Sequence, residues 1–172
     1  MAIPTSSAIT KDNLFTQVHA NIFNLINNRS NVSDPNDSTG NRKFVYTREP
    51  NLSGRFAGFP FIIVPYSEYS QNDKVADASK ANTMDTFEIV VMTSDSSTSD
   101  SDGNPLGAQQ LADISTDIVK TLNNRTNSQT LRNNGLRNKT FPSVAFEWGE
   151  LNGKPIFRRE FNLKFEGWRT IA

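Results

Sequence analysis

Cysteine is absent from this chain, and histidine occurs once, at His19. The first absence excludes disulfides and thiolate chemistry. Together the two exclude the usual zinc ligand sets, which draw on cysteine and histidine. Freedom from cysteine also fits a reducing cytosol. Net charge is missing as well: 18 basic residues balance 18 acidic ones. That speaks against a uniformly basic nucleic-acid binder and leaves room for a local patch. No apolar run approaches the length of a membrane span, and the longest, Phe59 to Val64, contains Pro60. Met1-Ala2-Ile3-Pro4 lacks the basic start and apolar core of a signal peptide. Apolar residues are also scarce, at 35% of 172, against about 45–50% (counting glycine) in an ordinary globule. Clustered Asn, Ser, Thr and Asp make up the difference. The expectation is one domain over residues 1–172 with a modest core and long polar loops. Those loops, near residues 30–42, 67–82 and 94–104, are expected to be flexible.

What is present is a long aromatic hairpin from Thr140 to Trp168, turning at Leu151-Asn152-Gly153-Lys154. Asn-Gly between apolar runs is a strong hairpin signal because both residues tolerate positive φ. In its second arm Phe157, Arg159, Phe161, Leu163 and Phe165 share one side of the pleat. Ile156, Arg158, Glu160, Asn162, Lys164, Glu166 and Trp168 share the other. An aromatic face opposite a charged one describes a sheet covered on one side. Upstream, Leu14, Phe15, Val18, Ile22, Leu25 and Ile26 predict a helix over about Lys11 to Asn28, capped by Thr10 or Asp12. Leu106, Leu111, Ile114, Ile118, Val119 and Leu122 predict a second over about Pro105 to Asn123. Strands are expected at 44–48, 59–66 and 83–93, the last apolar on both faces and therefore central or partly covered. Residues 67–82 are either disordered in the isolated chain or extend two strands into a projecting hairpin. Residues 123–139 read as a polar connection in which Leu131 and Leu136 anchor a short turn. The fold class is α+β: an antiparallel or mixed sheet of four to five strands, two helices packed on one face, and a long C-terminal β-hairpin.

Chemistry is harder to find. His19 lies in the first helix, with no Gly-x-Ser-x-Gly turn to make a nucleophile, and reads as a satisfied or exposed helix residue. Asp95, Asp100 and Asp102 before Gly103 lack the spacing of a calcium loop and read as a solvated acidic segment. Phosphate-binding glycine motifs are absent. Glu147, Glu150 and Glu160 are expected to form cross-strand ion pairs rather than an acid/base couple. No catalytic residue, metal ligand or cofactor site is expected, and the chain is not expected to be an enzyme. Two groups mix cations with aromatics: Arg42, Lys43, Arg48 and Arg55 with Phe44, Tyr46 and Phe56, and Arg158, Arg159, Lys164 and Arg169 with Phe157 and Trp168. Three readings stay open for them: an ordinary charged sheet face, a single-strand nucleic-acid face, or a protein–protein face.

The order of elements resembles the tail terminator (tail completion) proteins of long-tailed bacteriophages. The resemblance rests on the N-terminal amphipathic helix, the strand Phe59-Pro60-Phe61-Ile62-Ile63-Val64 and the strand Thr86-Phe87-Glu88-Ile89-Val90-Val91. A Ser/Asp-rich loop, the helix containing Ala108, Leu111, Ala112 and Ile114, and the closing hairpin complete it. It spans nearly the whole chain. The loops at 30–42 and 123–139 are long for that family. The resemblance implies a structural protein of the virion tail or neck, assembled in the host cytoplasm. It implies a ring, typically of six copies, that caps the tail tube, ends tube polymerisation and meets the head-side connector. The implied partners are other copies of the chain, the tube protein and the connector protein, with DNA only as cargo passing through the bore and no membrane. On this chain the subunit-contact candidates are Arg158, Glu160, Lys164, Glu166, Trp168 and Arg169. Asn72, Asp73 and Lys74, with Asp95, Asp100 and Asp102, are the candidates for meeting the tube or connector. The three aspartates can instead face the bore and repel DNA, or simply solvate a loop. The alternatives are another neck-ring protein, such as a head-closure component, and a monomeric binding module.

Overall fold

A computed structural model describes residues 3–37, 39–52, 57–77, 80–95 and 106–170; for residues 11, 71–77, 80–81 and 168–170 it describes the backbone only. After a 3-10 turn at Lys11–Asn13 come helix α1 (Leu14–Asn27) and strands β1 (Val45–Tyr46), β2 (Phe61–Ile63), β3 (Glu68–Asp77) and β4 (Lys80–Ser94). Helices α2 (Leu106–Asn123) and α3 (Arg125–Asn133) follow, then strands β5 (Lys139–Leu151) and β6 (Lys154–Thr170). The sheet runs β1-β2-β4-β6-β5, with β3 also paired to β4. It is mixed because β1 and β2 are parallel while the other pairings are antiparallel. The α+β class, the helix layer and the closing hairpin agree with the sequence reading.

The fold differs from that reading in the number of strands and in one connection. Residues 68–77 form a strand, the second of the two alternatives, which raises the strand number to six. Within the expected connection 123–139 lies α3, a third helix. Its apolar stripe is missing because only Leu131 is buried. Its signal is instead a cap: the Asn124 side chain accepts from the Thr126 and Asn127 N–H groups at 2.9 and 3.2 Å. Leu131 and Leu136 do anchor the segment, at 3% and 2% exposure.

The main core lies between the helices and one face of the sheet. Val18, Ile22 and Ile26 of α1 and Leu111, Ile114, Ile118 and Leu122 of α2 meet Phe87, Ile89 and Val91 of β4 and Phe161, Leu163 and Phe165 of β6. Period 3.6 on the helices and period 2 on the strands bring these residues onto facing surfaces. A smaller core on the reverse face joins Tyr46, Phe61, Ile63 and Val90, with Leu52, Phe59 and Met92 packed on it. It explains why β2 and the end of β4 are apolar on both sides. The hairpin turn holds Asn152 at φ 53° and Gly153 at φ 75°, the positive-φ pair that suits a two-residue connection between twisted strands.

The polar segment 29–42 is pinned by ion pairs. Arg42 meets Asp34 at 2.8 Å, where the Asp34 side chain is fully buried. The same guanidinium donates to the Phe59 carbonyl at 3.0 Å and to the Pro60 carbonyl. Arg29 pairs with Asp37 at 3.2 Å. The Asp37 carboxyl is held below its usual range by the Thr39 hydroxyl, the Arg42 N–H and the charge of Arg29. Arg42 therefore leaves the group of cations available to a ligand; Arg55 and Phe56 of that group lie outside the described residues.

Candidate interaction surface

The surface with most to offer a partner is β5, through a mismatch between layers. A helix is about 10 Å wide and strands lie about 4.8 Å apart, so one helix covers about two strands. Helix α1 packs against β1, and α2 packs against β4 and β6. Two helices span four strands of the five-strand row, and β5 is the fifth. It is exposed from Pro142 to Glu150. On the helix side Val144 and Phe146 are each 52% exposed and Trp148 is 77% exposed. Their cross-strand partners on β6 are Phe161, Arg159 and Phe157. The Arg159 guanidinium lies 5.8 Å from the Phe146 ring centre, placing a cation in the strip. The far margin of β5 pairs with no strand among the described residues, so its outward N–H and C=O groups remain open to another chain.

The reverse face of the hairpin is charged and internally matched. Arg158 sits among Glu160 at 2.7 Å, Glu147 at 2.8 Å and Glu88 at 3.6 Å. Lys164 meets Glu166 at 2.9 Å. Burial, followed by the nearby Glu160 charge, pushes the Glu88 carboxyl up, against the pull of Arg158. Of the cross-strand ion pairs expected, Glu147 makes one, across to Arg158; Glu160 meets Arg158 along its own strand, and Glu150 makes no ion pair among the described residues.

A second aromatic patch lies across the sheet. Phe15 of α1 is 62% exposed and Tyr66, just before β3, is 53% exposed. Tyr66 stacks on His19 at 4.2 Å, and Tyr69 of β3 meets Phe15 edge-on at 5.9 Å. His19 itself is buried, and its Nε2–H donates to the Val64 carbonyl at 2.9 Å. Burial lowers its pKa and that bond partly opposes the shift. It is a satisfied helix histidine, the first of the two alternatives the sequence left open.

The remaining candidates separate. Asp95 accepts from the Gly107 N–H at 3.1 Å, so its carboxylate caps the start of α2. Asp100 and Asp102 lie outside the described residues. Asn72, Asp73 and Lys74 are on β3, and Trp168 and Arg169 are near the end of β6, all described as backbone only. Val144, Phe146 and Trp148 were not among the expected contact residues. Their signal was the alternation Val-x-Phe-x-Trp, which looks identical to a strand with one face in the core. No cluster of metal-ligating side chains occurs among the described residues. Among them, too, no helix is long and apolar enough to cross a membrane. The chain matches no protein-family model and no curated protein.

Proposed function

We propose that this chain is a structural protein of a bacteriophage neck, a tail terminator that forms a ring on the tail tube, ends its growth and meets the head-side connector. The observation that carries the reading is the uncovered β5 strip, Val144, Phe146 and Trp148, on a strand whose far margin is open. Solvent-facing aromatics in a row on an edge strand expose the protein to aggregation unless a partner covers them. The order of helix, strands, helix and closing hairpin supports the family. The work is done by complementary surfaces, and no bond is made or broken. A ring of identical copies needs one patch to meet a different patch on the next copy. The charged reverse face, with Arg158, Glu160, Lys164 and Glu166, would then meet solvent or the rim of a neighbouring ring.

Negative-stain microscopy tests the reading on purified protein, alone and mixed with tube protein. Rings that seat on tube ends are expected; particles that remain monomeric in both samples overturn it. Particles assembled without this protein sharpen the role. Overgrown tubes identify a terminator, whereas filled heads that leak identify head closure.

A further inference from the structure

We propose that copies of this chain join head to tail through two aromatic patches: the β5 strip of one copy receives Phe15, Tyr66 and Tyr69 of the next. The inference rests on the ring reading and names its contact residues. The exposed large apolar side chains among the described residues are Phe15, Tyr66, Val144, Phe146 and Trp148. They fall into two groups on the helix side of the sheet. Phe15 belongs to α1 and Tyr66 stacks on it through His19, while the β5 group shares its face with buried Phe161. The groups also lie at opposite margins: β5 flanks β6, whereas β3 flanks β4 on the side away from β6.

Two unlike patches at opposite margins suit a repeating contact in which each copy gives one and accepts the other. Backbone and helix layer agree with this placement. Among the described residues β3 pairs only with β4, and β5 only with β6, so β3 of one copy can continue the sheet of another past β5. That step carries α1 along with β3 and sets Phe15 over the shelf that no helix of the first copy reaches. Charge agrees as well. Arg159 stands in the β5 strip and pairs with no carboxylate among the described residues. Asp12, exposed, is three residues before Phe15. The Trp148 ring, as the largest exposed side chain, is the expected anchor of the contact.

The test uses Trp148→Lys and Phe15→Lys, made singly in the full chain and compared with wild type by light scattering and mass photometry. Both side chains project into solvent, so far-UV circular dichroism should be unchanged. Phe146→Lys and Tyr66→Lys repeat the test at neighbouring positions if either first variant misfolds. Each variant alone should lose the ring, with self-association weakened on the order of tenfold or more. Mixed in equal amounts, the two should form dimers and nothing larger, because one intact junction remains possible between unlike copies. A monomeric wild type, a ring that survives either variant, or a mixture that stays monomeric overturns the inference. Loss in the Trp148 variant with a normal Phe15 variant also overturns it, since β5 would then be pairing with itself. The neck reading fails separately. Assembly through these patches with no effect on tube growth sinks that reading alone, and a tube-capping ring indifferent to both variants sinks only the inference.

Discussion

At one end of the sheet β1 runs for two residues, both buried; at the other, β5 runs for thirteen and is exposed along most of its length. The β1 end is closed by the protein's own chain. Phe44, Val45 and Tyr46 are buried, α1 covers one face, and Leu52 and Phe59 pack on the other. Arg42 ties that wrapping to the carbonyls of Phe59 and Pro60. The β5 end is held only at its start, where Lys139 donates to the Leu122 carbonyl and Phe141 packs on the core; from Pro142 to Glu150 no helix covers it. A single row across the sheet marks the boundary: Ile89, Phe161 and Val144 are neighbours on one face, at 0%, 2% and 52% exposure. Residue type barely changes along this row. What changes is whether a helix lies above it, and the difference of one strand's width converts core into surface.

The largest effect that can break this comparison is at its boundary. Phe161→Ala should cost about 3–5 kcal/mol, as expected for an aromatic ring removed from a filled core. Val144→Ala, one strand over, should cost less than about 1 kcal/mol in the monomer, where half the side chain already meets water. Urea melts of both variants measure the gap. Equal losses would mean that the β5 strip is covered within one chain.

Next in size is the tie at the closed end. Arg42→Met should cost about 3 kcal/mol, since it leaves the buried Asp34 carboxylate without its cation. Asp34→Asn with Arg42→Met should recover part of that loss, because the uncompensated charge is gone. Denaturant unfolding of the single and double variants separates the two contributions. A harmless Arg42→Met would show that the β1 end holds without its wrapping.

The helix that stops short of β5 can also be disturbed. A Cβ at Gly107 would lie 2.9 Å from the backbone of Ser94 and Asp95, where α2 is held by Thr93 Oγ1 donating to the Gly107 carbonyl at 2.6 Å. Gly107→Ala should therefore cost about 1–3 kcal/mol, because α2 must lift from the end of β4 to make room. Thermal unfolding reads the loss, and an unchanged melting temperature would mean that this approach is looser than the geometry says.

Much of this architecture was legible in the sequence, for definable reasons. Val18, Ile22 and Ile26 declare a helix face, and Phe161, Leu163 and Phe165 declare a strand face, because each period stands out over several turns or pleats. The Asn152-Gly153 turn is equally plain, since few dipeptides accept two positive φ values. Helix α3 was hidden because its one buried residue gives no period, and its Asn124 cap resembles any other polar loop residue. The β5 strip was hidden for a different reason. Val144, Phe146 and Trp148 carry the same alternation as the buried strand beside them, and no sequence window states how wide the helix layer is. The charged side of β6 stands out more in the sequence, yet its Arg158 is largely occupied by Glu147 and Glu160. Charge is conspicuous in a sequence, while exposure depends on tertiary packing.

The smallest effect on the monomer tests that last point directly. Trp148→Ser removes the largest side chain of the strip, yet it should change the stability of a dilute, monomeric chain by no more than about 0.5 kcal/mol. Its ring is 77% exposed, and the cross-strand neighbour Phe157 remains only partly buried without it. Under conditions where copies associate, the same substitution should lower the melting temperature relative to wild type, because binding stabilises a fold by mass action and this variant loses that gain. Melting curves at low and high protein concentration check both halves. A wild type whose transition does not move with concentration, or a Trp148→Ser chain as destabilised when dilute as when concentrated, would place the tryptophan's role within one chain and erase the difference between the two ends of the sheet.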